Sequence, residues 1–199
     1  MKATGLFAGI GGIEFGLHQS GIDAYLLSEI MPEAQSVLKN RYPKAKFSSD
    51  VTTLQKIGSV DILAGGFPCQ DLSIAGNKVG IDGERSGLVR EFFRLIEGAK
   101  TKKPKFILIE NVANIISLNK GEALKLITEE IHKLGYNWAY RLVDPRSLGI
   151  PQRRPRFIFV ASNVIHPKNI LFPDYEDVTA SIDDKPKDDI VDAHAYGFY

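Results

Sequence analysis

Residues 60–70 have the sequence VDILAGGFPCQ, in which a short apolar run leads into a turn that carries a thiol. A run of this kind, followed by loop residues, is typical of a buried strand. The two glycines allow the backbone to turn or to be approached closely, and Pro68 restricts the backbone just before Cys69. We therefore predict that Cys69 lies at the carboxyl end of a strand, the edge where open α/β sheets bind ligands.

Cys69 is the only cysteine of the 199-residue chain. A lone cysteine is usually a buried apolar residue, but a turn directly after a strand favours a functional thiol. One cysteine cannot form an internal disulfide, which favours a reducing compartment. No signal peptide or membrane-spanning run is recognisable, so we expect a cytoplasmic protein without a membrane partner. We expect no metal site, because the four histidines are scattered along the chain.

The composition is that of an ordinary globular protein, with 44% hydrophobic and 25% charged residues. The net charge of +1 conceals an asymmetry along the chain. Residues 1–172 contain 23 basic and 16 acidic residues, whereas residues 173–199 contain eight acidic residues and two lysines. The basic part could attract a polyanion, although solvated basic surfaces are also common.

Strand and helix patterns alternate along the chain. Strands are predicted at residues 2–7, 22–27, 46–47, 60–64, 106–109, 137–143 and 156–161, and helices after Gly12, at 32–42, after the N-cap Ser86 and at 123–134. This alternation predicts an α/β fold with a mostly parallel sheet and helices on both faces. The last two strands have no helix between them, so we expect an antiparallel pair at one edge. The patterns end after Ser162, which divides the chain into a domain of residues 1–161 and an acidic extension, 162–199.

The turn after the first strand is rich in glycine and precedes a helix. Such a turn directs backbone N–H groups and a helix N-terminus towards a ligand. It is not the dinucleotide motif, because Glu14 occupies the place of the third glycine, and it lacks the lysine of a phosphate-binding loop.

Acidic residues follow the next two predicted strands. Glu29 is placed to accept hydrogen bonds from ribose hydroxyls, and Asp50 from an adenine amino group. Each acid alone could be a helix cap or a solvated loop residue. Together with the glycine turn they indicate an adenosine-type ligand, and the lack of a pyrophosphate-binding motif favours S-adenosylmethionine over a nicotinamide dinucleotide.

Two polar groups lie at later strand ends. Glu110 and Asn111 follow the strand at 106–109, and residues 152–156 (QRRPR) precede the last strand. A carboxylate at the end of a buried strand is costly unless it is hydrogen-bonded or used. Arginine side chains bind phosphates and planar acceptors. The structural alternatives are a helix cap and a basic surface loop.

Taken together, these motifs resemble those of the cytosine-5 DNA methyltransferase family. The resemblance rests on Phe7-x-Gly9-x-Gly11-Gly12, Pro68-Cys69-Gln70, Glu110-Asn111-Val112 and Gln152-x-Arg154-x-Arg156, which occur in the family's order and approximate spacing. It covers residues 3–161. It implies a Rossmann-like, S-adenosylmethionine-dependent methyltransferase fold.

The resemblance also implies roles for individual residues. Glu29 would hold the ribose, Ile30 would pack on adenine where the family often has an aromatic residue, and Asp50 would bind the adenine amino group. The implied cofactor-binding residues are Phe7, Gly9, Ile10, Gly11, Gly12, Glu29, Ile30, Asp50, Val51 and Pro68.

For the chemistry, the resemblance implies that the Cys69 thiolate adds to carbon 6 of cytosine, so that carbon 5 can take the methyl group. Glu110 would hold the base, Arg156 would contact its carbonyl oxygen, and Arg154 would lie close to the thiol and the base. Asn111 and Gln152 would support these groups. The family flips its target base out of the duplex, and residues 71–90 would close over DNA. The implied DNA-binding residues are Gln70, Ser73, Arg85 and Gln152.

The chain departs from the family after residue 161. The family's target-recognition region and its last two motifs are not recognisable in residues 162–199. The resemblance therefore implies a second polypeptide that supplies them, and predicts an exposed apolar patch beside the first helix, where the final helix would pack. Three alternatives stay open at this point: transfer RNA methylation, an inactive fragment that acts as a binding module, and a nicotinamide-dependent oxidoreductase.

Overall fold

The computed structural model describes residues 1–68 and 87–173. These residues contain a seven-stranded sheet with the order β3-β2-β1-β4-β5-β7-β6. Its strands are β1 (Lys2–Leu6), β2 (Asp23–Ser28), β3 (Lys46–Ser48), β4 (Ile62–Gly65), β5 (Phe106–Val112), β6 (Asn137–Val143) and β7 (Arg156–Ser162). Strands β1 to β5 are parallel, whereas β7 runs antiparallel to both β5 and β6. The predicted α/β class and the antiparallel pair at one edge are confirmed.

One strand is longer than its apolar run indicates. The sequence predicts that the fifth strand ends at Ile109, but β5 continues to Val112. The extension forms because β7 pairs with β5 along its whole length, from Phe106 opposite Ser162 to Val112 opposite Arg156. Glu110 and Asn111 therefore lie within a strand rather than in the loop after it.

Five helices accompany the sheet in the described residues: α1 (Gly12–Gln19), α2 (Pro32–Arg41), α3 (Gly87–Gly98), α4 (Glu122–Lys133) and α5 (Lys168–Leu171). Pro32 is the first residue of α2. Proline is favourable there because the N–H that it lacks would have no partner within the helix. In α3 the side chains of Val89, Phe92 and Ile96 are buried at helical spacing. The short α5 is not predicted by the sequence, since its four residues carry no periodic apolar pattern.

The core lies on both faces of the sheet. Leu63 belongs to the largest apolar cluster, with Phe92 of α3 and Ile127 of α4. Ile62 and Ala64, which point to the opposite face because side chains alternate along a strand, pack with residues of α1. This arrangement aligns the carboxyl ends of β1 to β5 at one edge, where the predicted site residues lie.

Some predictions fall outside the described residues. Ser86, the predicted cap of α3, is one of these, as is the acidic part of the extension from residue 174 onward. Within the described ranges no helix is both long and apolar enough to cross a bilayer. In the same ranges, histidines, cysteines and carboxylates form no group of three that could hold a metal.

Candidate functional site

The glycine turn after β1 adopts a backbone that requires its glycines. Gly9 and Gly11 have φ angles of 54° and 86°, in the left-handed region that favours glycine. A Cβ on Gly11 would lie 2.8 Å from the ring of Tyr42, whose hydroxyl donates to the Gly11 carbonyl at 3.1 Å. Phe7 also has a positive φ, 56°, and begins the turn. The turn thus packs against Leu38 of α2 and against Tyr42, which directly follows α2, and it leads into the N-terminus of α1.

Glu29 at the end of β2 is held by backbone groups. One carboxylate oxygen accepts from the Gly9 N–H at 2.7 Å, and the other from the Met31 N–H at 2.9 Å. The Gln35 side chain of α2 donates to the Glu29 carbonyl at 2.8 Å. Because a carboxylate oxygen can accept more than one hydrogen bond, both oxygens retain acceptor capacity.

Asp50, after β3, is fixed in a similar local manner. Its Oδ1 accepts from the Thr52 N–H at 2.8 Å, and this hydrogen bond lowers the pKa of Asp50. Its carbonyl accepts from the hydroxyls of Ser48 and Thr53. Asp50 is therefore ionised at neutral pH and presents an acceptor at a defined position.

The chemistry of this half of the edge suits a nucleoside better than a phosphate. Two carboxylates, Glu29 and Asp50, offer acceptors for hydroxyl and amino groups but would repel a pyrophosphate. Ile10 and Ile30 are exposed beside them, at 60% and 70%, and offer apolar surface for a base. These donors, acceptors and apolar side chains fit S-adenosylmethionine.

Glu110 and Arg156 form an ion pair on the other half of the edge. Arg156 Nε lies 2.7 Å from Glu110 Oε1. Glu110 is opposite Ile158 in the β5–β7 pairing, so Arg156, two residues earlier, projects from the same face. Both side chains are partly exposed, at 32% for Glu110 and 20% for Arg156. The pair is accessible to a ligand that has both a donor and an acceptor.

The backbone just before Cys69 lies against Glu110 and Asn111 of β5. Asn111, which is buried, donates from Nδ2 to the Phe67 carbonyl at 3.0 Å. A Cβ on Gly66 would come within 3.1 Å of Glu110 Oε2, so the glycine permits the close approach. The buried Phe67 ring makes an edge contact with Phe7 of the glycine turn. Residues 66–67 are therefore fixed between the nucleoside half of the edge and Glu110.

The remaining predicted site residues differ in how well they are placed. Val51 is buried beneath the turn after Asp50, and Pro68 is exposed. Gln152 and Arg154 are exposed on the loop before β7, so the structure brings Arg156, but not Arg154, against Glu110. Cys69, together with Gln70, Ser73 and Arg85, lies outside the described residues.

An apolar groove of about 250 Å³ lies beside the first helix. It is lined by Ile13 and Leu17 of α1, by Leu108 and Glu110 of β5, and by Ile158 of β7. Leu108, Glu110 and Ile158 share one face of the sheet because they alternate along paired strands. The sequence predicts apolar surface near α1, but the contribution of β7 depends on a strand pairing that its pattern does not specify.

Glu14 in the first turn of α1 is a buried acid. The sequence identifies it only as the residue that replaces the third glycine of the dinucleotide motif. Its side chain is buried, and neither carboxylate oxygen has a hydrogen-bond partner among the described residues. Burial raises the pKa of Glu14 to about 7. A Cβ on Gly5 of β1 would overlap Glu14 Oε1, so a glycine in β1 provides the space that the acid occupies.

Comparisons with known proteins show the family of this chain. The family model described as C-5 cytosine-specific DNA methylase matches residues 1–194. The chain is 47% identical over its whole length to the Type II methyltransferase M2.BsuMI of Bacillus subtilis (strain 168), and covers 51% of that protein. It is 38% identical to the Type II methyltransferase M.Eco47II of Escherichia coli, over 78% of this chain and 38% of that one.

Solved structures show the same fold. The S. pombe Dnmt2 methyltransferase aligns with a TM-score of 0.69 at 21% identity, over 92% of this chain and 58% of that chain. A putative DNA modification methyltransferase encoded within an E. coli prophage aligns with a TM-score of 0.67 at 24% identity, over 81% and 46%. The chain spans about half the length of the curated relatives.

Proposed function

Because the chain belongs to the C-5 cytosine-specific DNA methylase family, we propose that it is the catalytic part of an enzyme that methylates carbon 5 of cytosine in duplex DNA. The observation that carries this proposal is the Glu110–Arg156 pair, in which Glu110 lies against the backbone leading to Cys69. A cytosine has a ring nitrogen, an amino group and a carbonyl oxygen in a row. A carboxylate can accept from the amino group, and a guanidinium can donate to the carbonyl oxygen.

The nucleoside half of the edge would hold the cofactor. Glu29, fixed by two backbone N–H groups, would accept from the ribose hydroxyls, and Asp50 would accept from the adenine amino group. Exposed Ile30 would pack on the adenine ring. When bound there, S-adenosylmethionine supplies the methyl group as an electrophile.

The other half would activate the base. The Cys69 thiolate would form a bond to carbon 6, and the electron pair displaced towards carbon 5 would take the methyl group. The transfer would leave S-adenosylhomocysteine. A water molecule would then take the carbon 5 proton, and the electron pair of that bond would expel the Cys69 thiolate from carbon 6 and restore the ring. Glu110 and Arg156 would hold the base and stabilise the charge that develops on it. Positive charge from Arg154 and Arg156 would favour the thiolate form of Cys69.

The DNA contacts of this proposal fall mainly outside the described residues. The target base would be flipped out of the duplex, because carbon 5 and carbon 6 cannot be attacked within the stack. Gln70, Ser73 and Arg85 would contact DNA from the segment after Cys69, and Gln152 from the loop before β7. These contacts would position the duplex, with sequence recognition supplied from elsewhere.

A second polypeptide would complete the enzyme. The groove between α1, β5 and β7 is open and apolar, and it borders Glu110. A helix with an apolar face would cover Ile13, Leu17 and Ile158 and enclose the site. This helix would correspond to a part of the curated relatives that the chain does not match. The second polypeptide would also carry the region that recognises the target sequence.

The test is methyl transfer from labelled S-adenosylmethionine by the chain combined with the unmatched half of the B. subtilis relative. We expect methylated duplex DNA, no labelled transfer RNA, and little sequence-specific turnover by the chain alone. Cys69→Ser should abolish transfer while the fold is retained, and 5-fluorocytosine in the target should trap a covalent complex, because fluorine replaces the departing proton. Strong methylation by the serine variant would exclude the covalent mechanism, and specific turnover by the purified single chain would exclude the need for a partner.

A further inference from the structure

Arg94 of α3 is bound to the turn that follows β3, although the two are far apart in the sequence. Its Nη2 donates to the Leu54 carbonyl at 2.8 Å and to the Val51 carbonyl at 3.3 Å, across 40 and 43 residues. Its Nε donates to Glu91 on the same helix at 2.7 Å. Both sets of contacts orient the guanidinium, which is partly exposed.

The turn held by Arg94 is the one that presents Asp50. Within the turn, the Leu54 N–H donates to the Val51 carbonyl, and the Thr52 N–H donates to the Asp50 carboxylate. Hydrogen bonds from a charged donor are stronger than those between neutral groups. Arg94 therefore fixes the turn at Val51, next to Asp50, and at Leu54, and so restrains the position from which the Asp50 carboxylate can accept.

We propose that Arg94 is a positioning residue for adenine recognition, acting through the Val51 and Leu54 carbonyls to hold Asp50 where it meets the adenine amino group. This inference rests on the proposed function, because it requires S-adenosylmethionine at the nucleoside half of the edge. It also links the nucleoside half of the edge to α3.

The test compares two ligands that differ at the position Asp50 would recognise. S-adenosylhomocysteine carries an adenine amino group, whereas its deaminated analogue, with hypoxanthine, has an oxygen there that cannot donate to a carboxylate. Calorimetric titration of the full chain should give about 10- to 100-fold preference for the adenine ligand, the range expected for one charge-assisted hydrogen bond. In Arg94→Met this preference should fall to a small fraction of the wild-type ratio.

Two matched variants separate positioning from general stability. Arg94→Lys keeps a charged donor and should retain part of the preference. Glu91→Gln removes the ion pair but leaves both carbonyl contacts, and should keep most of it. If Arg94→Met does not unfold cooperatively, the Arg94→Lys result decides, with a full wild-type preference counting against the inference.

The outcomes distinguish the inference from its premise. If Arg94→Met weakens both ligands equally and keeps the wild-type ratio, Arg94 supports the fold but does not position Asp50, and the inference is wrong. If the wild-type chain binds neither ligand, or binds both alike, the proposed cofactor site is itself wrong and the inference falls with it.

Discussion

The two halves of the sheet's carboxyl edge hold their acidic residues by different means. At β2 and β3, Glu29 and Asp50 are bound by backbone N–H groups of nearby loops. At β5, Glu110 is bound by the side chain of Arg156 on a neighbouring antiparallel strand. The first arrangement uses backbone donors from the acid's own loop and, for Glu29, from Gly9 on the turn after the adjacent strand β1. The second exists only when β7 has inserted between β5 and β6.

This difference suits the two tasks that we propose. A bound nucleoside needs acceptors that stay in place, and backbone N–H groups hold a carboxylate without a competing cation. A reacting base needs a donor and an acceptor that can rearrange around it as charge develops. The Glu110–Arg156 pair is partly exposed, so it contributes little to folding stability compared with what it offers a ligand.

The largest expected effect, on methyl transfer, comes from breaking the Glu110–Arg156 pair. Glu110→Gln keeps the shape of the side chain but removes its charge, and should lower methyl transfer by about 10²–10³-fold, the typical cost of losing one group that stabilises developing charge. The cofactor affinity and the urea midpoint should change little, because the pair is partly exposed. A variant with normal turnover, or one whose cofactor affinity falls in parallel, would contradict the division between the two halves.

The same division explains which parts the sequence predicts. Acids at strand ends, such as Glu29 and Asp50, follow from the local alternation of strand and loop, and the pattern predicts their strands to within one or two residues. The Glu110–Arg156 contact does not follow, because no local pattern specifies that β7 pairs with β5. The family resemblance assigns both residues to the base, but it does not imply that the two side chains contact each other.

Two buried or bridging residues are missed for a related reason. Arg94 reaches the turn after β3 across 40 residues and more, and its role depends on how α3 packs rather than on any motif. For Glu14, the sequence indicates only that it occupies the place of the third glycine of the dinucleotide motif. The Glu14 side chain can be buried because Gly5 of β1 leaves space for it. No local sequence pattern indicates that these two residues are in contact.

The next largest expected effect is on the pH dependence of stability and comes from Glu14. Unlike the acids at the strand ends, its carboxylate has no hydrogen-bond partner among the described residues. Its pKa of about 7 exceeds the ordinary value of 4.5, because burial disfavours the charged form. The folded state therefore binds a proton that the unfolded state releases, so stability should fall as the pH rises from about 4.5 to 7. The loss at higher pH should approach about 3 kcal/mol.

Urea unfolding at several pH values tests this, with Glu14→Gln as the neutral comparison. The variant should lack the decline, so its stability relative to the wild type should increase between pH 5 and pH 8 by up to about 3 kcal/mol. A pH-independent difference between the two proteins would mean that Glu14 is neutral or solvated throughout. Asp50, whose pKa is lowered by the hydrogen bond from the Thr52 N–H, should show no such loss on rising pH.

The smallest effects distinguish a direct contact from an indirect one within the nucleoside half. Glu29→Ala removes the carboxylate proposed to bind the ribose and should weaken S-adenosylmethionine binding by about 1.5–3 kcal/mol. Gln35→Ala removes the hydrogen bond to the Glu29 carbonyl and should weaken S-adenosylmethionine binding by about 1 kcal/mol. Calorimetric titration of both variants with S-adenosylmethionine shows which substitution causes the larger loss of affinity. Equal losses would mean that Glu29 acts through the shape of the loop, whereas an unchanged affinity in Glu29→Ala would remove the ribose assignment and leave Asp50 as the only acid of this half with a proposed ligand contact.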